Sequence, residues 1–285
     1  MPLLRLLLLL APALAWAAPL FVIGDTGDCG PGAAQVAAAI QQQPDWQQGR
    51  LLEVGDLAYP TATRERLLEC HEPYFGIFPR RLALPGNHDW RDPQAAGFYS
   101  LFPAPVPRAV NLDKTWRLLL LDSNLRDQTW AKQLAWLDKE VRQAQGSSKA
   151  GRNQATRRCL IAAWHHPRWS SGKHGDNDFM APVWERLAGV ASITFHGHDH
   201  HFEAIPPLDR DGQAAADGTT SFIVGNGGAA LYPANEPRHG GSPVFGTWGF
   251  LRLDLDRRHY RWQAFDTAGQ VLQSGEGNCL TAPKH

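Results

Sequence analysis

Residues 51–59 read LLEVGDLAY, an apolar run followed at once by a Gly-Asp pair and, three residues after the aspartate, a tyrosine. An apolar run of this length that stops at glycine predicts a buried β-strand. Four other segments also place polar residues directly after such a run. They are Gly24-Asp25, Gly86-Asn87-His88-Asp89, His165-His166-Pro167 and Gly197-His198-Asp199-His200. Strand ends on one edge of a sheet can converge on a single point, so these five segments predict one shared site.

The donors in these segments are carboxylates, a phenol, an amide oxygen and imidazoles, a mixture that suits hard or borderline metals such as Fe, Mn or Zn. Asp56 is the candidate to bridge two ions, because a carboxylate can give one oxygen to each of them. Asp25 and Tyr59 would complete one side of the site, and Asn87 and His165 the other.

His198 and His200 are two residues apart. At a strand end that runs into a loop, they can point at neighbouring ions. Each segment taken alone is also typical of a simple turn or helix cap. Because all five occur in order, each at the end of a predicted buried strand, the pattern favours a two-metal hydrolytic centre.

The composition is that of an ordinary globular protein, with 43% hydrophobic and 20% charged residues among 285. Lys+Arg and Asp+Glu both number 28, so no net charge attracts nucleic acid or acidic lipid, and no nucleic-acid partner is expected. No long apolar span follows the N-terminal segment, which excludes a polytopic membrane protein.

The N-terminus has the pattern of a signal peptide. Residues 1–5 include a positive charge, residues 6–14 are apolar, and Ala15-Trp16-Ala17 is a small-x-small cleavage site. A membrane anchor is the alternative, but the apolar run is short for one. We therefore expect cleavage after Ala17 and a secreted or periplasmic mature protein, with residues 18–285 as a single catalytic domain.

The four cysteines, Cys29, Cys70, Cys159 and Cys279, include no Cys-x-x-Cys pair, so a zinc ribbon is not expected. In an oxidising compartment they would form disulfides, with three connectivities open. We favour Cys29–Cys70, since both residues follow strand ends, which leaves Cys159 with Cys279. Four free, buried thiols are the alternative.

Between the polar segments, hydrophobic periodicity predicts one mixed α/β domain. The predicted helices cover 33–43, 63–78, 129–145 and 179–187; the further strands cover 116–121, 219–224, 249–255 and 260–265; and the loops include 206–218 and 234–243.

The order Gly-Asp, Gly-Asp-x-x-Tyr, Gly-Asn-His-Asp, His-x-Pro and Gly-His-x-His resembles that of the calcineurin-like metallophosphoesterases, across essentially the whole mature chain. Within them the chain is similar to the purple acid phosphatases. Many metallophosphoesterases have a histidine where this chain has Gly27, and Tyr59 is what purple acid phosphatases use instead. The Asp-Arg-Gly of the protein serine/threonine phosphatases is missing after Asp56.

The resemblance implies a four-layer αββα sandwich, two mixed β-sheets flanked by helices, without the preceding β-sandwich domain of the larger plant enzymes. It also implies Fe(III) together with a divalent Fe, Zn or Mn ion. The implied Fe(III) ligands are Asp25, Asp56, Tyr59 and His200, and those of the divalent ion are Asp56, Asn87, His165 and His198.

The resemblance further implies two catalytic residues that do not bind metal. His88 would lie near the phosphate. His174, nine residues after His165, would donate a proton to the leaving alkoxide. His166, His201, Asp199, His71 and His239 are left outside the predicted site.

The implied function is that of an exported acid phosphatase, in which a metal-bound hydroxide hydrolyses small phosphate monoesters. A phosphodiesterase on the same scaffold is one alternative, which the loops 206–218 and 234–243 would decide. A non-catalytic metal-binding protein is the other. The sequence does not indicate an oligomeric state.

Overall fold

The computed structural model describes residues 18–146 and 158–280. The predicted signal peptide, residues 1–17, lies outside the described residues. In chain order the strands are β1 (Leu20–Ile23), β2 (Arg50–Glu53), β3 (Arg81–Ala83), β4 (Arg108–Asn111), β5 (Trp116–Leu120), β6 (Cys159–Ala163), β7 (Ala191–His196), β8 (Phe202–Leu208), β9 (Thr219–Val224), β10 (Ser242–Val244), β11 (Gly249–Asp256), β12 (His259–Asp266) and β13 (Val271–Asn278).

These strands form two mixed sheets. The first has the order β13-β12-β11-β1-β2-β3, and the second β10-β8-β9-β7-β6-β5-β4. Strands β1, β2 and β3 are parallel in the first sheet, as are β5, β6, β7 and β9 in the second. Each sheet therefore brings the carboxyl ends of several strands to one edge.

The helices are α1 (Pro31–Gln41), α2 (Arg64–Cys70), α3 (Glu72–Phe75), α4 (Ala96–Leu101), α5 (Asp127–Ala144) and α6 (Ala181–Leu187). Among residues 18–146 and 158–280, none of the helices combines the length and the apolar character needed to cross a membrane.

The sheets pack face to face, and the helices cover their outer faces. Along β1 the side chains alternate: Val22 packs in the core between the sheets with Ile161, whereas Phe21 packs on the outer side with Ile40 of α1. On the outer face of the second sheet, Trp184 of α6 joins a separate apolar cluster that also includes α5. The four-layer αββα architecture is therefore confirmed.

The predicted elements are present with three corrections. The helix predicted at 63–78 is two helices, α2 and α3, because Pro73 starts a new helical turn and has no N–H to continue the old one. The predicted loop 206–218 begins inside β8, which continues through Pro206 and Pro207 to Leu208. The predicted loop 234–243 ends inside β10.

Both favoured disulfides are present. Cys29–Cys70 joins the loop before α1 to the end of α2, and Cys159–Cys279 joins the start of β6 to the residue after β13. The second bond therefore ties the two sheets together.

Candidate metal centre

The polar segments meet where the carboxyl ends of β1, β2, β6 and β7 come together. The parallel ladder of the first sheet continues beyond its strands, since the Asp25 N–H donates to the Gly55 carbonyl oxygen at 3.0 Å. His165, from the second sheet, reaches across so that its Nδ1 lies 2.8 Å from the carbonyl oxygen of Val54. This contact joins the two sheets at the site.

Two buried carboxylates and a phenol form the first half of the centre. Asp25 and Asp56 are 0% and 1% exposed. The Tyr59 hydroxyl oxygen lies 2.9 Å from Asp25 Oδ1, 3.2 Å from Asp56 Oδ2 and 3.1 Å from His200 Nε2. These distances place the four proposed Fe(III) ligands around one point.

Asp56 also belongs to the second half. Its Oδ2 lies 3.3 Å from His165 Nε2, which is 3.2 Å from Asn87 Oδ1. The His198 ring centre is 5.2 Å from that of His165, and the His198 backbone N–H donates to Asp25 Oδ2 at 2.8 Å. Candidate ligand atoms of Asp25, Asp56 and His165 lie within 4.8 Å of one another.

The hydrogen bonds of the imidazole rings indicate that a cation suits this pocket. Nδ1 of His165 and Nδ1 of His200 lie 2.8 and 2.6 Å from backbone carbonyl oxygens, which only accept, so both Nδ1 atoms carry protons. In the neutral rings, Nε2 then presents a lone pair to a carboxylate oxygen, at 3.3 Å for His165 and 3.4 Å for His200. Two acceptors at these distances repel each other unless a proton or a metal ion lies between them.

The electrostatics agree with that conclusion. Burial lowers the pKa of His165, but Asp56 and Asp25 outweigh it and raise the pKa to about 10. Burial, Asp25 and Asp56 also raise the pKa of the Tyr59 phenol well above its usual value. A bound cation would oppose both shifts and favour the tyrosinate.

Gly27 leaves no space for another ligand. A Cβ at this position would collide with the carbonyl oxygen of Leu57. The Gly27 carbonyl instead accepts a hydrogen bond of 2.7 Å from the Tyr59 backbone N–H. The absence of a side chain at Gly27 and the presence of Tyr59 are thus parts of one local arrangement.

Three candidate ligands have left-handed backbone conformations: φ is 58° at Asp25, 54° at Asp56 and 71° at His198. At Asp56 the turn is held by the buried carboxylate of Asp89, which accepts the backbone N–H groups of Asp56 at 2.9 Å and Leu57 at 3.2 Å. Asp89 is part of the Gly-Asn-His-Asp segment, but the sequence interpretation gave it no role.

The two predicted catalytic histidines lie beside the centre. His88 donates its backbone N–H to Asp56 Oδ1 at 2.7 Å, and its ring centre is 4.3 Å from that of Tyr59. His174 is exposed, and its ring centre is 4.1 Å from that of His198.

His166, which was not included among the predicted ligands, lies close to the centre. His165, His166 and His198 have candidate ligand atoms within 4.8 Å of one another, and the Nδ1 of His166 is 2.7 Å from the Ser123 hydroxyl. Burial, together with His165, lowers the pKa of His166 to about 3, so the ring is neutral. Adjacent residues in the bend after β6 can face the same side, which strict strand alternation does not predict.

The other residues left outside the prediction have structural partners. His201 contacts Glu203, His71 contacts Glu53, and His239 contacts Asp176. Asp199 accepts the backbone N–H of His174 at 2.8 Å and so supports the loop that carries this histidine.

Comparison with known proteins gives a family match over the part of the chain that contains the site. Residues 18–202 match the family described as calcineurin-like phosphoesterase, and all seven candidate ligands fall within that range. No curated protein matches the chain at a significant level of similarity.

Among solved structures, the chain is similar to the purple acid phosphatase PPD1 from yellow lupin (Lupinus luteus) seeds, with a TM-score of 0.69 and 17% identity over 93% of this chain and 54% of the lupin chain. It thus spans about half the length of that enzyme. It is also similar to GAP50, the anchor in the inner membrane complex of Plasmodium, with a TM-score of 0.71 and 13% identity over 92% and 88% of the two chains. PhoD has a TM-score of 0.56 and 10% identity over 94% and 71%. At these identities the likeness shows the fold.

Proposed function

The chain belongs to the calcineurin-like phosphoesterase family, and from this premise we propose that it is an exported acid phosphatase of the purple acid phosphatase type, which hydrolyses phosphate monoesters with two metal ions. Family membership supports a metal-dependent phosphoesterase. The acid phosphatase type, the export and the dinuclear iron centre are the proposal.

The observation that carries the proposal is the position of Tyr59. Its phenol oxygen lies within 3.2 Å of Asp25, Asp56 and His200. Gly27, at the sequence position where many family members have a histidine, has no side chain to offer. A phenolate oxygen between two carboxylates is a hard, strongly anionic donor set, which favours a trivalent ion over a divalent one.

In this proposal Asp25, Asp56, Tyr59 and His200 hold Fe(III), and Asp56, Asn87, His165 and His198 hold a divalent Fe, Zn or Mn ion. When bound, the pair of ions supplies charge neutralisation for the phosphate and lowers the pKa of a water molecule, so that hydroxide is available under acidic conditions. The Val54 and Ala230 carbonyls fix the tautomers of His165 and His200, so that both Nε2 atoms are free to bind metal.

His88 and His174 act on the substrate in this scheme. The His88 ring packs against that of Tyr59, and its Nε2 lies 4.0 Å from Asp56 Oδ2, the carboxylate that both ions would share. His174 protonates the leaving alkoxide, a task for which its exposed ring beside His198 is suitably placed.

Export is supported by the predicted signal peptide and by the two disulfides, because such bonds persist in secreted and periplasmic proteins. We propose that the mature protein is residues 18–285, as one catalytic domain.

The test is an assay of the purified full-length protein on phosphate monoesters and diesters from pH 4 to 9, with metal analysis of the same sample. We expect two metal ions per chain, at least one of them iron, and monoester hydrolysis that is fastest in acid. Faster hydrolysis of diesters would establish a phosphodiesterase instead. A protein that holds both metals but hydrolyses neither class would be a non-catalytic member, since a fold alone does not imply catalysis.

A further inference from the structure

Four rings form a continuous arc over the metal centre. Tyr232 lies flat on His200, with ring centres 4.2 Å apart and an angle of 7° between the planes. The Tyr232 hydroxyl is 3.3 Å from His174 Nε2, and the His174 ring lies 4.1 Å from that of His198. We call His200, Tyr232, His174 and His198 the ring arc. It runs from a proposed ligand of the Fe(III) to a proposed ligand of the divalent ion.

The backbone at both inner residues of the ring arc is anchored. The Tyr232 N–H donates to the His200 carbonyl oxygen at 3.2 Å. The His174 N–H donates at 2.8 Å to Asp199, whose buried carboxylate also accepts the Ser170 hydroxyl at 2.5 Å. The remaining freedom at His174 is therefore the rotation of its exposed side chain.

We propose that Tyr232 is a positioning residue for His174, an inference that rests on the proposed function. An exposed imidazole samples several rotamers, whereas a general acid works only within hydrogen-bonding distance of the leaving oxygen. The Tyr232 hydroxyl and the His198 ring hold His174 in one orientation above the metal centre. Because His174 Nε2 contacts the Tyr232 hydroxyl, His174 Nδ1 is the ring nitrogen that would donate to the leaving oxygen.

Tyr232→Phe isolates this contact, because phenylalanine keeps the ring on His200 and removes only the hydroxyl. We expect kcat for glycerol 2-phosphate to fall about tenfold, as the loss of one hydrogen bond allows, with KM unchanged. Hydrolysis of 4-nitrophenyl phosphate should fall less than about twofold, because its acidic phenol leaves without a proton donor.

The double variant with His174→Ala and Tyr232→Phe provides a second comparison. His174→Ala should slow glycerol 2-phosphate hydrolysis by about 100-fold, as expected for a lost general acid. Adding Tyr232→Phe should cause no further loss, because the hydroxyl acts through His174. The matched control is Tyr260→Phe, which removes a hydroxyl 3.2 Å from Thr220 in the core and should change neither substrate's kcat.

A readout that does not depend on activity comes from histidine ring ¹H–¹⁵N spectra of the metal-free protein. Tyr232→Phe should shift the His174 resonances and leave those of His200 in place, whereas Tyr232→Leu should shift both. Equal losses on the two substrates, additive losses in the double variant or unshifted His174 resonances would each overturn the proposal. A wild-type protein that hydrolyses no ester would instead refute the proposed function, and the spectra would still decide whether Tyr232 orients His174.

Discussion

At the scale of single residues, Tyr59 determines what kind of ion the site would favour. Its phenol lies between two carboxylates, and burial together with Asp25 and Asp56 raises its pKa well above the usual value. Deprotonation in that position requires a strong positive charge nearby, and a trivalent ion supplies more of it than a divalent one. In our proposal, the preference for Fe(III) follows from the crowding of oxygen donors around one point.

Tyr59→Phe should therefore abolish the visible absorption of the iron-loaded protein while the protein stays folded. The physical reason is that the band in the proposed centre comes from charge transfer between tyrosinate and Fe(III), and phenylalanine has no oxygen to bind. An absorption spectrum and iron analysis of the same sample provide the measurement. Tyr99→Phe, in α4, is the matched control and should leave the band unchanged. An unaltered spectrum in the Tyr59 variant would refute the assignment.

Asn87 is a second residue for which we propose a single role, that of a ligand to the divalent ion. Its side chain is half-buried, and its Oδ1 contacts His165 Nε2 at 3.2 Å. Asn87→Ala should lose the divalent ion and reduce hydrolysis by more than about 100-fold, with an unchanged circular dichroism spectrum. Asn111→Ala, an exposed change on the edge strand β4, controls for the substitution itself. Full metal content with most of the activity retained would mean that Asn87 is not a ligand.

At the scale of elements, β2 ends at Glu53, three residues before Asp56, and Glu53 is the centre of a buried network of charged side chains. Glu53 is fully buried, with its carboxylate 2.6 Å from His71 Nε2 and 2.8 Å from Arg81 Nε. His71 Nδ1 is in turn 2.9 Å from the Thr26 hydroxyl, next to Asp25. The network therefore links β2, β3 and the end of α2 to the loop that holds a proposed ligand.

This network should make the free energy of unfolding depend on pH in the acidic range. Burial raises the pKa of Glu53, but Arg81 and His71 outweigh it and lower the pKa to about 2, from 4.5. A lowered pKa in the folded state means that the stabilisation is complete above about pH 4.5 and disappears as the pH falls towards 2. The group should contribute about 3 kcal/mol to the free energy of unfolding over that interval.

Urea unfolding of the metal-free protein at pH 7, 5 and 3 tests this point. Glu53→Gln should be less stable than the wild type at pH 7, and its free energy of unfolding should change less between pH 5 and 3. Glu65→Gln, an exposed change on α2, should follow the wild-type profile. If the free energies of unfolding of the wild type and Glu53→Gln changed with pH in parallel, this carboxylate would not be the cause of the pH dependence.

At the scale of the whole molecule, Cys159–Cys279 closes the longer of the two disulfide loops, with a sequence separation of 120 against 41 for Cys29–Cys70. Replacing Cys159 and Cys279 by alanine should lower the free energy of unfolding by about 5 kcal/mol, because the unfolded chain regains the entropy of the open loop. Denaturant unfolding of the metal-free protein measures the change. An unchanged midpoint would mean that the bond does not form or does not constrain the unfolded chain.

Much of the architecture was predictable because parallel strands leave a strong local signal, an apolar run that stops at a polar group. β13 was not predicted, since Gly275 and Gly277 interrupt its alternation. In the structure these glycines lie against the rings of Trp262 and Tyr260, where a side chain would collide. The apolar side chains of this region belong to the partner strand β12. The sequence of β13 therefore lacks the apolar alternation that predicts a strand.

The residues around the site likewise include some that the sequence indicates and some that only the fold brings there. The seven candidate ligands follow strand ends in recognisable segments, and the structure brings them together, although their roles as ligands stay proposals. Tyr232 lies 32 residues after His200 in a segment without a motif, and only the folded backbone places it beside that ring. Asp89 and His166 stood within the quoted segments, but their importance depends on side-chain directions that adjacency in sequence does not reveal.

The left-handed backbone at Asp25, Asp56 and His198 has one further consequence. This conformation is unfavourable by about 1 kcal/mol or more per residue, and at Asp56 the protein itself holds it through the buried carboxylate of Asp89. The donors are therefore pre-organised, and exchange of one metal for another of similar size would require little rearrangement of the chain. In our proposal, the occupant of the divalent position would then depend on which ion the surroundings supply when the protein folds.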